Sequence, residues 1–110
     1  METLHFTYNW NHKLDCDYFT AIRLFSDKRY QTGLKYSIIL KQGQRQINKG
    51  VAEIVGVKHI LLSELDEFTC YLDTGYGLLQ TREIIKTIYK NFAPAIDWRK
   101  QLLSVSLFHK

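Results

Sequence analysis

The sequence predicts a small α+β domain: a mainly antiparallel sheet, closed or nearly closed into a barrel, with two helices before the last strand. Three observations lead there. Strand-like runs with short-period patterning recur through the first 57 residues, helical spacing takes over between Ser63 and Phe92, and clean alternation returns at Leu103–Leu107. Strands, then helices, then a returning strand is an α+β order rather than βαβ. A terminal strand rejoining an antiparallel sheet favours a small closed barrel. The 110 residues suffice for one domain and leave no room for a second core.

Leu4, Phe6 and Tyr8 alternate with Thr3, His5 and Thr7, the pattern of a half-buried first strand. Asn9 to Asp17 is polar and predicts a loop. Phe19 to Phe25 favours a second strand, and Ser26–Arg29 and Gln31–Gly33 are turns. Lys35 to Leu40 makes a third strand, and Gly43 and Gly50 flank a basic, hairpin-like connection. Val51 to Val57 is nearly continuously apolar, which predicts a buried strand that bends or bulges at Gly56.

Ser63 and Asp66 resemble a capping start, and Leu65, Phe68 and Leu72 fall on one face of a first helix. Gly75 suits the left-handed residue that ends it. A longer second helix puts Leu78, Ile85, Ile88 and Phe92 on a common face, and Pro94 stops it. Leu103 to Leu107 is the closing strand.

Composition narrows the class. Hydrophobic residues make up 45% and charged residues 24%, the balance of a globular chain that needs neither metal nor disulfide to fold. Cys16 and Cys70 form no C-x-x-C pattern, and Met1-Glu2-Thr3 leads directly into a strand-like run. No apolar stretch approaches the ~18 residues of a membrane span. These features predict two free thiols in a reducing, cytoplasmic setting with no membrane partner. His5, His12, His59 and His109 show no metal-ligand spacing, and there is no Gly-rich phosphate loop, so no metal or nucleotide cofactor is expected.

The net charge of +4 is unevenly placed. Between Arg23 and Lys49, seven bases face only Asp27. Such a stretch attracts phosphate, or is simply a solvated surface.

Phe19-Thr20-Ala21-Ile22-Arg23 followed by Gln31-Thr32-Gly33 resembles the ASCH family of the PUA-like superfamily, in which a Thr-Ile-Arg-like strand leads through a glycine turn to the next strand. Lys49 to Val55 resembles that family's central strand. Leu72-Asp73-Thr74-Gly75-Tyr76 resembles its inter-helix segment, Ile84 to Tyr89 its second helix and Leu103 to Phe108 its last strand. The resemblance runs nearly the full length in the right order. It implies a PUA-like barrel, a cleft beside the Arg-bearing strand, and RNA or modified nucleosides as ligands. Some members are amidohydrolases acting on N4-acetylcytidine and are similar in a Lys-x-x-Thr-x-Arg spacing. Here Tyr18 and Ala21 occupy the Lys and Thr places, and Thr74 the place of the acidic residue. Lys13, Thr20 and Asp73 lie nearby and replace them only if the backbone shifts.

Arg23 is the first candidate for the site. A guanidinium in a β-rich run either forks to a carboxylate or points into a cleft where a phosphate or base edge meets it. Asp73 would orient Arg23 or act as an acid/base group. Tyr18 and Thr20 offer hydroxyls, and Lys28, Arg29 and Tyr30 combine two cations with a ring suited to a phosphate and a stacked base. Tyr76 is a candidate lid, with Trp10, His12 and Lys13 as another wall. The first expectation is therefore binding of RNA or a modified nucleoside or nucleotide, and the alternative is a small hydrolase (amidohydrolase or ribonuclease) using Lys13, Thr20 and Asp73 in the same cleft. A protein-interaction domain is the third.

Overall fold

Period-two alternation builds a five-stranded sheet in a computed structural model that describes all 110 residues. The strands are β1 (Glu2–Phe6), β2 (Tyr18–Leu24), β3 (Lys35–Gln42), β4 (Arg45–Leu61) and β5 (Leu102–His109). Two helices, α1 (Glu67–Thr74) and α2 (Leu78–Ile88), lie between β4 and β5. The sheet order is β1-β3-β4-β5-β2; β1 runs parallel to β3, and every other neighbouring pair is antiparallel. No helix is long and apolar enough to cross a membrane.

The expected barrel does not close. β1 and β2 are the two edges of the sheet and share no backbone ladder. The sheet nevertheless curls until the edges come within reach of side chains. Phe6 of β1 meets Phe19 of β2 edge-on at 6.2 Å between ring centroids, and Arg23 of β2 donates from Nη2 to the carbonyl of His5 at 2.7 Å.

Alternation sends the strand residues to two cores. Leu4, Phe6, Phe19, Tyr36, Ile38, Ile54 and Phe108 fill the core on one face. On the other, Leu103 and Val105 pack with Leu62, Leu65, Cys70 and Ile85 beneath the helices. β5 is thus covered on both sides, and Leu103 to Val105, Ser106 included, are all buried.

Local chemistry explains several departures from the sequence expectations. β4 extends through the basic segment after the turn at Gly43, so that stretch is strand rather than connection. Val51 and Val55 are exposed while Ala52 and Ile54 are buried, and the register slips between Ile54 and Gly56, a bulge at the expected glycine. Asp66, not Ser63, caps α1, accepting from the Thr69 amide at 2.7 Å. That places Cys70, Asp73 and Thr74 inward and leaves Phe68 and Leu72 exposed. Gly75 ends α1 at φ 82, a left-handed conformation that also lies against the Asn11 side chain. α2 stops at Ile88, well before Pro94, and Ile88 and Phe92 remain exposed.

Tyr30 corrects another expectation. Its ring is 4% exposed and belongs to the first core, so it is not free to stack on a base. The turn around it folds the ring inward while Lys28 and Arg29 stay exposed, and the Tyr36 hydroxyl donates to the Arg29 carbonyl.

Candidate functional site: a buried Lys–Asp pair beside the open sheet edge

The predicted loop between β1 and β2 contains a 3-10 segment, Trp10–Asp15. Two consecutive residues within it, Asn11 (φ 56) and His12 (φ 51), adopt the left-handed conformation. Asn tolerates that region better than most side chains. Asn11 also donates from Nδ2 to the carbonyls of Tyr71 at 3.1 Å and Leu72 at 3.4 Å, satisfying the open C-terminal turn of α1. The kink turns the next residue, Lys13, into the protein.

Lys13 is 5% exposed and Asp73 6%. The Lys13 ammonium donates to Asp73 Oδ1 at 2.8 Å, and the Thr20 hydroxyl donates to the same oxygen, also at 2.8 Å. Two donors from two other elements thus converge on one carboxylate oxygen of α1, leaving Oδ2 without a protein donor. Burial pushes the Lys13 ammonium below its usual pKa, and the Asp73 carboxylate opposes that shift. The Arg23 charge nearby adds a smaller push downward. The Phe6 ring lies 5.4 Å from Lys13 Nζ and 4.7 Å from the Arg23 guanidinium carbon, a position favourable to both cations.

A cleft of about 240 Å³ opens where the two sheet edges fail to meet. Lys13, Asp73 and Arg23 contribute to its wall, with Trp10 and Tyr8 on one side and Ile84, Ile85 and Ile88 of α2 on another. Arg23 faces no carboxylate; it is held by the His5 carbonyl and the Phe6 ring. Of the two alternatives for this guanidinium, the structure has the cleft.

The remaining candidates are distributed differently. Thr20 touches Asp73 but is outside this cleft. Tyr18 is exposed and stacks on His109 at 4.2 Å, away from the cleft. Tyr76 meets Trp10 edge-on at 6.3 Å and so sits behind a cleft wall. Lys28 and Arg29 are exposed elsewhere, and of the seven bases between Arg23 and Lys49 only Arg23 lines the cleft. Lys49 is engaged by Asp15 at 2.8 Å.

The positions in register with the family spacing do other work. Ala21 is buried in the core, and Thr74 is a buried hub whose hydroxyl lies 2.8 Å from that of Thr81 and donates to the Cys70 carbonyl at 3.0 Å. Sequence reasoning missed Asn11, His5, Thr7 and the isoleucines of α2 as parts of the site. Asn11, two residues before Lys13 in a polar run, was the available signal for the kink; nothing local marks the isoleucines, which look like ordinary core. No group of His, Cys, Asp and Glu is arranged to hold a metal ion. Comparison with protein-family models, curated proteins and solved structures found no match to this chain.

Proposed function

We propose that this chain is a PUA-like, ASCH-type domain, opened along one seam, whose cleft binds a modified nucleoside and hydrolyses an acyl amide on its base. The carrying observation is the Lys13–Asp73 pair, nearly wholly buried yet forming part of the wall that Arg23 also lines. Burying such a pair is expensive, and well-packed apolar residues would serve stability as well or better. A buried ammonium whose pKa is lowered, set in a cleft wall as Lys13 is, favours a chemical role.

On this reading each residue has a part. The nucleobase would sit between Trp10 and the isoleucines of α2, which line the cleft, with its polar edge toward Arg23. Asp73 takes a proton from water as the water oxygen bonds to the amide carbonyl carbon. Lys13 gives a proton to the nitrogen as the C–N bond breaks. A carboxylic acid and a free amine result, and proton exchange with water resets the pair. Thr20, outside the cleft, is a positioning residue that fixes the Asp73 carboxylate.

The cleft volume matches a single ring-bearing ligand better than a strand of RNA. Most of the basic residues lie outside it, which further favours a nucleoside over a polymer.

The test is incubation with a panel of N-acylated nucleosides, including N4-acetylcytidine, read by mass spectrometry. Deacylation by the wild type, reduced roughly 10²–10⁴-fold in Asp73→Asn and Lys13→Met, is the expected result. Absence of product from every member of the panel overturns the catalytic assignment. Absence of binding to the deacylated nucleosides as well overturns the ligand class.

A further inference from the structure

A second cleft, of about 330 Å³, lies between α1 and the outer side of β2, β5 and β4. Its floor is a cross-strand row, Gly56–Leu107–Thr20, and the next row on the same face carries Lys58 opposite Val105. Leu72 of α1 overhangs it and is 63% exposed, and Leu107 is 39% exposed, so apolar surface on both the overhang and the floor is bare.

Gly56 is informative. Its backbone is not left-handed, so conformation does not demand glycine there. A Cβ would meet only the Leu107 Cβ, at 4.0 Å, so close packing does not demand it either. What the missing side chain leaves is space at the cleft floor.

The polar groups restrict what fits. Thr20 commits its proton to Asp73, so it offers the cleft lone pairs and no donor. Lys58 supplies a cation at the rim. Asp66 holds it loosely, at 3.7 Å with both side chains about half exposed, and is the carboxylate a ligand must compete with. Thr69 and Ser106 also line the cleft, but its one cation is at the end of an apolar path over Gly56, Leu107 and Leu72, complementary to a short chain bearing one negative charge.

We propose that this second cleft binds a small aliphatic monocarboxylate, its head on Lys58 and its chain over Gly56 and Leu107 beneath Leu72. The site is separate from the Arg23 cleft, and Thr20 joins the two by holding the Asp73 oxygen from the opposite side. Its occupancy therefore does not depend on whether the first cleft is catalytic.

Titration of the full chain with millimolar hexanoate, followed by amide NMR, tests this. Shifts at Gly56, Val57, Thr69 and Leu72, with His5, Thr7 and Ile84 unmoved, are expected. Lys58→Gln should weaken the binding roughly fivefold, the range of an exposed charge contact. Gly56→Val should abolish it while the protein stays folded. Hexanol, which has the same chain and no charge, should bind more weakly than hexanoate. No shifts at the second cleft, or shifts at the Arg23 cleft alone, overturn the proposal. Equal binding of hexanol, or no loss in Lys58→Gln, overturns the recognition of the carboxylate.

Discussion

The guanidinium of Arg23 reaches across an unpaired gap in the sheet and donates to the backbone carbonyl of His5 at 2.7 Å. A strand pair would have joined β1 to β2 through several backbone bonds; here one side-chain hydrogen bond and the Phe6–Phe19 contact span them, and the space left over is the cleft. The same guanidinium sits 4.7 Å from the centre of the Phe6 ring, so the side chain is held from two directions.

Removing the span should loosen the edge. Arg23→Gln is expected to lower stability by about 1.5–3 kcal/mol, the range for a hydrogen bond involving a charged group. Hydrogen exchange of the β1 amides should quicken more than that of β4 or β5. Uniform quickening across the sheet would show that Arg23 supports the whole fold rather than the seam.

Lys13 and Asp73 should behave as a unit. Each single change, Lys13→Met or Asp73→Leu, leaves a buried charge unpaired and is expected to cost about 3–5 kcal/mol. The double variant should recover most of that loss, ending within about 1 kcal/mol of wild type or above it, as measured by urea denaturation. Simple additivity of the two losses would mean the pair is not coupled.

Titration of Lys13 carries a definite sign. Burial lowers its pKa in the folded protein below the usual 10.5, so the folded chain releases this proton earlier than the unfolded chain does. The penalty of burying the ammonium is complete below the folded value and is relieved as pH climbs from there to 10.5. Stability relative to Lys13→Met should therefore rise with pH across that window. Because Asp73 opposes the shift, Asp73→Asn should move the Lys13 midpoint lower still, as followed by side-chain NMR.

Asn11 combines a rare backbone conformation with two hydrogen bonds to the end of α1. Asn11→Gly keeps the conformation accessible and loses the bonds, at an expected cost of about 1 kcal/mol. Asn11→Ala loses both and should cost about 2 kcal/mol or more. Thermal unfolding of the pair separates the two contributions, and equal losses would assign no cost to the left-handed turn.

Ser106 offers a change in the opposite direction. It is 1% exposed, and its hydroxyl has no hydrogen-bond partner. A buried donor without an acceptor is costly, so Ser106→Ala should raise stability by about 1 kcal/mol, visible as a higher urea midpoint. A loss would show that the hydroxyl is satisfied by something the fold brings to it.

The strands were legible because alternation reports one covered face, as in Leu4 and Phe6 or Tyr36 and Ile38. Helix existence and the Gly75 stop were legible for similar reasons. The buried face of α1 was not, because Phe68 and Leu72 have helical spacing yet point outward, and spacing alone does not say which face is covered. Closure of the sheet depends on curvature summed over five strands, which no local pattern encodes. Counting along β2 by the family spacing led to Tyr18 and Ala21, whereas the ammonium arrives from a separate kinked segment and the carboxylate lies one place before Thr74. Lys13, Thr20 and Asp73 were visible as residue types, but their meeting is a tertiary event. Tyr30 shows the converse: its basic neighbours suggested a surface, while its ring supplied volume the core needed.

β5 is the last strand in chain order, yet it sits between β4 and β2 near the middle of the sheet. β2, formed early in the sequence, has no antiparallel neighbour until β5 arrives, with Tyr18 meeting His109 and Leu24 meeting Leu103. Such distant pairings slow the search for the native state, so β2 locks only once β5 has joined it. Shortening the chain by that single segment would leave two strands without their common partner and Thr20 without a fixed strand from which to hold Asp73.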